Sequence, residues 1–425
     1  MKNLKDFLLN NIVTVIFIIL CTVSIILADQ TAAFLLEQIV VRFFRNGVLV
    51  LSLIIPVIAG LGLNFGIVLG AMSAQTAVIL VTYWNFGGIG GIFLMILLST
   101  PISIILGILI GKLFNKTKGQ EMITGMILGF FANGVYQFVY MVLVGTVIPV
   151  NNPDITISGG VGLVNTMQLT ETATGAFDDF IRLPLDQAFL IGFIVYVVLI
   201  VGKTVYTAKM GTGVAKESWS KKRLIYFGAG LIYGAALIYI RLFNPKLNMA
   251  MAFVDVPVFT LILVALVAVV IQFLVNTKLG QDFRSVGQNM KVAVSAGINV
   301  DRTRIIAIVI STVLAAWGQV IYIQNIGNFA TYTAHEQVAT FAIAALLVGG
   351  ASIKKATIGQ AFLGIILFHI LFTVAPMAGT NLFGNTQIGE YFRVFVSYGV
   401  IALALVLHTV KTMRQKIRQS QEDEI

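Results

Sequence analysis

Charged residues are scarce in this chain, and their scarcity excludes most classes of soluble protein. Only 11% of its 425 residues are Asp, Glu, Lys or Arg, whereas 58% are hydrophobic. Soluble globular proteins carry about 25% charged residues, which cover the surface around the core. We therefore exclude a soluble enzyme, a nucleic-acid-binding protein and a disordered chain. The natural solvent is a bilayer, and the net charge of +10 is typical of basic loops beside a membrane.

Reactive and metal-binding side chains are equally few. Cys21 is the only cysteine, so the chain can form neither an internal disulfide nor a thiolate metal cluster. His335, His369 and His408 are far apart in sequence and are interpreted as satisfied polar groups in helices. No acidic residue lies centrally in an apolar run, which argues against a proton relay. Because no nucleophile, base and metal ligands cluster together, the sequence predicts no enzyme active site and no cofactor.

Nucleotide-binding motifs are incomplete. Gly202-Lys203-Thr204 has the end of a P-loop, but Val197 stands where the first glycine is required. Gly88-Ile89-Gly90 lacks the third glycine of a dinucleotide motif, because Phe93 occupies that position. Any ATP that this protein uses must therefore be bound by another chain.

Long apolar runs fill most of the sequence and predict an all-α, polytopic transmembrane bundle in a single domain, residues 1–425. A helix needs about 20 apolar residues to cross the hydrocarbon core, and the runs predict about 10–12 such spans, some of them broken. The first run is longer than the apolar core of a signal peptide and predicts an uncleaved span. The predicted spans are 7–27, 48–62, 65–83, 92–111, 122–148, 187–206, 224–243, 256–275, 304–323, 338–350, 357–375 and 391–410. The short segments 48–62 and 338–350 are predicted to be broken or re-entrant.

Basic residues predict the orientation. With the N-terminus inside, 21 Lys and Arg residues fall on the inner side and six on the outer side. This bias predicts that both termini, including a tail at 411–425, are cytoplasmic. The six outer residues are Arg42, Arg45, Arg182, Arg241, Lys246 and Arg393.

The largest outer segment is an extracytoplasmic loop insert at 149–184, rich in Asn, Thr, Gly and Asp. Two interpretations stay open for it. It is either a docking surface for an external partner or a solvated excursion without a function of its own.

One predicted span carries a polar stripe. Asn133, Tyr136, Gln137 and Tyr140 are spaced so that all four share one helical face. Amides and aromatic rings together hydrogen-bond hydroxyl groups and stack on a sugar or base. The stripe predicts a substrate pathway, although polar contacts between helices would produce the same pattern. Further candidates for the pathway are Asn64, Ser73, Gln75, Gln319, Tyr322 and Gln324.

A polar segment at 276–303 lies between two apolar runs on the predicted cytoplasmic side. Its anchor residues are Gly280, Arg284, Gly287, Asn289, Ala293 and Gly297. Their spacing resembles the cytoplasmic signature of ABC-transporter permeases, in the family of simple-sugar, nucleoside and branched-chain amino-acid importers. Gly60–Gln75 and Ala342–Gln360 are similar to the early and late glycine-containing elements of that family.

The resemblance implies a permease subunit in the cell membrane. It implies that the 276–303 segment is a coupling loop docking on an ABC ATPase subunit. It also implies a second permease subunit and an extracytoplasmic solute-binding protein. Because the polar candidates are uncharged, we expect simple sugars and nucleosides ahead of branched-chain amino acids. The alternatives are a Na⁺-coupled secondary transporter, in which carbonyl and hydroxyl oxygens hold the ion, and a purely structural membrane protein.

Overall fold

The computed structural model describes residues 12–150, 152, 155–157, 160–210, 213–395, 398–399, 402–403 and 406. The predicted tail at 411–425 and His408 lie outside the described residues. Within them the protein is predominantly helical, which confirms the predicted polytopic all-α class.

The helices are numbered in chain order. The first eight are α1 (Ile12–Ala28), α2 (Ala32–Leu51), α3 (Ile54–Ile58), α4 (Ile67–Tyr83), α5 (Gly88–Lys116), α6 (Glu121–Phe138), α7 (Leu185–Met210) and α8 (Gly213–Phe243). The remainder are α9 (Pro245–Ala252), α10 (Val258–Asn276), α11 (Lys278–Gln288), α12 (Met290–Ser295), α13 (Val300–Ile326), α14 (Val338–Val348) and α15 (Ile358–Phe383). A π-helical turn, Val139–Leu143, continues α6.

Eight stretches in the described part of the chain are long and apolar enough to cross a membrane. They are α2 with α3, α5, α6 with its π-helical turn, α7, α8, α10, α13 and α15. Three shorter apolar helices, α1, α4 and α14, accompany them.

The structure corrects the beginning of the predicted span order. Segment 48–62 is not a separate span, because Ala32–Ile58 forms one apolar stretch that includes α2 and α3. Arg42 and Arg45 therefore lie in a helix rather than in an outer loop. Arg45 Nε donates to Asn325 Oδ1 at 2.5 Å. Charged groups are tolerated inside a membrane helix when they face the bundle in this way.

A helix break follows α3 and is closed by the protein itself. Gly60 and Gly62 adopt φ of 74° and 70°, the left-handed region that glycine enters without strain. Asn64 Oδ1 accepts from the Gly66 backbone N–H at 2.9 Å, and Asn64 Nδ2 donates to Ser311 Oγ at 3.1 Å. Interrupted backbone is tolerated within a membrane protein only where protein or water covers it, and here protein does.

Helix α13 is the centre of the bundle and packs against α2, α4 and α5. Glycines permit the close approach. A Cβ on Gly107 or Gly111 of α5 would lie 2.9 Å from the Val309 or Ile305 Cα atom. A Cβ on Gly70 of α4 would lie 2.4 Å from the Thr312 carbonyl oxygen. Gly107 and Gly111 are four residues apart, a spacing that lets helix backbones approach closely.

The described part of the insert at 149–184 forms a packed cap over the helices, and both interpretations of its function stay predictions. Strand β1 (Thr166–Gln168) pairs antiparallel with β4 (Asn328–Ala330), and β2 (Arg182–Pro184) pairs antiparallel with β3 (Asp255–Pro257). Phe177 is fully buried. The sequence composition hid this packing because Asn, Thr, Gly and Asp are frequent between the apolar residues of the insert.

A buried ion pair joins the ends of three helices. Arg304, at the start of α13, donates from Nη2 to Glu121 Oε1 at 2.5 Å and to the Phe114 carbonyl at 3.1 Å. Its Nε donates to Asn115 Oδ1 at 2.9 Å. The two side chains are 1% and 9% exposed. Removing one partner of such a pair leaves the other charge buried and uncompensated.

We expect Arg304→Met to lower the free energy of unfolding by about 3–5 kcal/mol. Chemical denaturation of the purified protein in detergent measures this loss. The exposed pair Lys118–Asp301, with side chains 43% and 61% exposed, provides the control. Lys118→Met should cost no more than about 1 kcal/mol. Adding Glu121→Met to Arg304→Met should restore part of the loss, and a double variant no more stable than the single one would contradict this account.

Candidate functional site

The polar stripe of α6 faces α4 and the loop between α13 and α14. Asn133 Nδ2 donates to Glu336 Oε1 at 2.8 Å, and Gln137 Nε2 donates to Asn133 Oδ1 at 3.3 Å. Tyr136 OH donates to the Thr331 carbonyl at 3.0 Å. The structure therefore brings the predicted residues of this helix together with residues far away in sequence.

The aromatic members of the stripe form a pair. The ring centroids of Tyr136 and Tyr140 are 4.6 Å apart. Tyr140 OH donates to Thr76 Oγ1 at 3.0 Å, which ties the π-helical turn to α4. The two rings are inclined at 55° to each other and lie beside the amides of the stripe.

His335 is the centre of the cluster. It is a satisfied polar group, as the sequence predicts, but the prediction that it lies in a helix was wrong. It lies in the loop after β4 rather than in a helix, and its side chain is fully buried. Its Nδ1 is 2.7 Å from Gln75 Oε1 and its Nε2 is 2.9 Å from Asn133 Oδ1. The Tyr136 ring centroid is 4.8 Å away. The polar run Thr331–Gln337 after an apolar span was the signal that could have identified it.

The protonation of His335 decides the direction of these hydrogen bonds. Burial lowers the pKa of His335 from its ordinary value of 6.5 to about 4. A neutral imidazole donates from only one nitrogen, so one neighbouring amide must present its NH₂ group to the ring. The buried Gln75 Nε2 atom has no partner among the described residues, and turning this amide over lets Nε2 donate to the imidazole Nδ1. The resulting chain runs from Gln75 through His335 and Asn133 to the Glu336 carboxylate.

A cavity of about 560 Å³ lies next to the cluster, between α4, α5 and α6. This volume is within the range of small-molecule pockets. Its wall is mostly Leu, Ile and Val, and its polar side chains are those of Ser73, Thr76, Tyr136 and Tyr140. Ser73 and the tyrosine pair were predicted pathway residues, and the structure places them on this wall.

The remaining pathway candidates occupy other positions. Asn64 supports the helix break described above. Gln319 is fully buried on α13, and neither its Oε1 nor its Nε2 atom has a partner among the described residues. The Tyr322 ring lies 5.8 Å from the Arg45 guanidinium. Gln324 Nε2 donates to Asp178 Oδ2 at 3.0 Å and so holds the cap. No contact joins these four residues to His335 in the described structure.

The predicted coupling loop folds as α11 and α12. Arg284, Asn289 and Gly297 are exposed, whereas Gly280 and Ala293 are buried. Asn289 Oδ1 accepts from the backbone N–H groups of residues 291 and 292 and caps α12. The anchor residues thus divide into an exposed set and a set that shapes the turn.

Gly287 faces the helix break after α3. A Cβ there would lie 2.2 Å from the Ile58 carbonyl oxygen. On α12 the side chains of Val292 and Val294 are 63% and 62% exposed. The outer surface of the segment therefore carries apolar and basic side chains, and its opposite side contacts the bundle at Gly287.

Known proteins resemble this chain in part. The family described as "Branched-chain amino acid transport system / permease component" matches residues 180–405. The chain is 34% identical over 163 residues to the nucleoside ABC transporter permease protein NupC of Lactococcus lactis subsp. cremoris, which covers 38% of this chain and 49% of that protein. Identity to NupB, a nucleoside ABC transporter permease protein of the same organism, is 34% over 118 residues, which cover 27% of this chain and 31% of that protein.

A third relative is the galactose/methyl galactoside import permease protein MglC of Salmonella typhimurium. Identity is 30% over 143 residues, covering 33% of this chain and 40% of that protein. The matched part of the chain spans about half or less of the length of these relatives. No solved structure matches the chain.

The lowered pKa of His335 has a consequence for stability. Below pH 6.5 the unfolded chain takes up a proton on this residue, whereas the folded protein does not until about pH 4. The contribution of His335 to stability is therefore complete above pH 6.5 and is lost as the pH falls towards 4. Thermal unfolding of the wild type and His335→Gln should show a stability difference that narrows over this window. A difference that widens on acidification would contradict the buried neutral ring.

Proposed function

Because the chain belongs to the family of branched-chain amino acid transport system permease components, we propose that it is the membrane permease subunit of an ATP-driven importer. Its solute is a small uncharged polar molecule, a nucleoside or a simple sugar. The observation that carries this proposal is the cluster of His335, Asn133, Gln75 and the tyrosine pair beside the cavity.

The chemistry of the cluster favours a hydroxylated solute. Amide and imidazole groups hydrogen-bond hydroxyls and base edges, and aromatic rings stack on the apolar face of a sugar or base. Glu336 adds a carboxylate that accepts hydrogen bonds from hydroxyl groups. An amino acid would bring its own carboxylate, and no cation faces that group in the cluster. The names of the relatives NupC, NupB and MglC refer to nucleosides and galactosides, which agrees with this chemistry.

The cluster reaches the surface of the chain. Glu336 and Gln337 are exposed, and Gln337 Nε2 donates to Tyr398 OH at 3.3 Å. A pathway needs walls on all sides, so a second permease subunit at this edge completes it. The second subunit is a further copy of this chain or a sister permease.

The energy for transport comes from a separate ATPase subunit. The exposed surface of α11 and α12, with Arg284, Val292 and Val294, is the docking surface for that subunit. Apolar side chains at the centre of a polar patch are typical of protein interfaces. The segment then lies in the cytoplasm with both termini, as the basic residues indicate.

An extracytoplasmic solute-binding protein delivers the solute at the opposite side. The packed cap built from 149–184 supplies a firm surface for it, because Phe177 and its neighbours anchor the cap to α13. ATP binding and hydrolysis then switch the cavity between outward-facing and inward-facing states. The chain itself performs no covalent chemistry.

Replacing Asn133 and Gln137 together by Leu should lower solute uptake by about tenfold, because each lost hydrogen bond costs roughly 0.5–1.5 kcal/mol. Uptake of labelled nucleosides and simple sugars is measured in cells that express the permease with its partner subunits. The control is Phe130→Leu with Phe138→Leu, which changes two exposed side chains of the same helix. Unchanged uptake in the amide variant, at normal expression, would remove α6 from the pathway.

Arg284→Ala combined with Val292→Ser should reduce co-purification of the ATPase subunit by about tenfold, an ordinary effect for central interface residues. Asn289 is left intact because it caps α12. Lys354→Ala, which removes an exposed basic residue from another loop, should leave the association unchanged. Equal recovery of the ATPase subunit with both variants would argue against this docking surface.

A further inference from the structure

The coupling segment, α11 with α12, contacts the chain just after α3 through backbone atoms at Gly287. A Cβ on Gly287 would lie 2.2 Å from the Ile58 carbonyl oxygen and 2.9 Å from the Gly60 nitrogen. A Cβ on Gly60 would lie 2.6 Å from the Gly287 Cα atom. Any side chain at either position therefore forces the two segments apart. No flexible side chain lies between them to absorb a displacement.

Buried residues hold α11 in this position. Phe283 is fully buried and Val286 is 2% exposed. Both belong to the same short helix as Gly287. The helix is thus seated on the bundle by apolar contacts, and the glycine contact fixes its distance from the break.

The break leads directly to the candidate site. After Gly60, Asn64 binds Ser311 of α13 and the Gly66 N–H, and α4 begins at Ile67. Helix α4 carries Gln75, which contacts His335. Gln75 lies about 12 Å along the helix axis from Ile67, the first residue of α4, at a rise of 1.5 Å per residue. Helix α4 therefore begins a few residues after the contact with Gly287, and it carries Gln75, the buried amide that contacts His335, further along.

We propose that the contact between Gly60 and Gly287 is the joint through which the coupling segment moves α4 and changes the solute site. This inference rests on the proposed function, since it assumes that an ATPase subunit pulls on α11. When α11 moves, the break follows, and α4 shifts along α13. His335 belongs to a different element, the loop after β4, so the shift separates Gln75 from His335. The amide and imidazole groups then exchange their mutual hydrogen bond for bonds to water, and the solute is released.

Gly287→Ala tests the joint. The complete complex with its ATPase subunit is reconstituted in vesicles, and ATP hydrolysis and solute uptake are measured together. We expect the solute transported per ATP hydrolysed to fall by about tenfold in the assembled complex, within the usual range of coupling between distinct sites. Gly202→Ala is the matched control, because a Cβ at that exposed helical glycine meets nothing within 4 Å. It should transport solute like the wild type.

A second measurement does not depend on transport. Spin labels on exposed Gln281 of α11 and exposed Trp84 at the end of α4 report whether the two helices move as one body. In the wild type their separation should stay the same with and without bound ATP, and in Gly287→Ala it should change on ATP binding. A separation that changes in the wild type would overturn the proposal.

The remaining outcomes are equally decisive. If an assembled Gly287→Ala complex transports as much solute per ATP as the wild type, the proposal that this contact is the joint is wrong. Loss of assembly in both Gly287→Ala and Gly60→Ala would assign the contact to folding and would also overturn it. If the wild-type complex shows no ATP-dependent uptake, the proposed function fails instead, and the label separations still decide whether α4 and α11 are joined.

Discussion

The architecture depends on closing backbone that is interrupted inside an apolar bundle. After α3 the interruption is closed by the Gly60–Gly287 contact and by Asn64. After α14 a second interruption is closed in the same manner, because Gln360 Nε2 donates to the Gly350 carbonyl at 2.7 Å. A Cβ on Gly349 would lie 1.8 Å from the Gln360 carbonyl oxygen. Unsatisfied peptide groups are costly in such surroundings, so these short polar and glycine residues are as important as the long helices.

The candidate site follows from these interruptions. They place α4 and the loop before α14 on either side of α6, so that groups distant in sequence meet at His335. The neutral ring connects amides from two helices and leads to Glu336 at an exposed edge. Under the proposed function, a second permease subunit completes the pathway at this edge, and a separate ATPase subunit changes its state. Family membership and the exposed surface of α11 and α12 support the same division of labour.

The sequence predicted those features that depend on local patterns. Hydropathy indicated the polytopic helical class, and helical spacing placed Asn133, Tyr136, Gln137 and Tyr140 on one face. Predictions were wrong where distant partners decide. Arg42 and Arg45 were assigned to a loop because counting charges cannot reveal Asn325 across the bundle. His335 was assigned to a helix because nothing near it in sequence indicates Gln75, and the insert at 149–184 hid strands whose partners lie elsewhere.

The central claim is that this chain forms a solute pathway driven by a separate ATPase. Measuring ATP-dependent solute uptake into vesicles tests it most directly. Vesicles containing the permease with its ATPase subunit and solute-binding protein are supplied with a labelled nucleoside or sugar. The account predicts accumulation that requires ATP, persists without a Na⁺ gradient and disappears when the ATPase subunit is omitted. Accumulation driven by a Na⁺ gradient in vesicles that lack the ATPase subunit would contradict it.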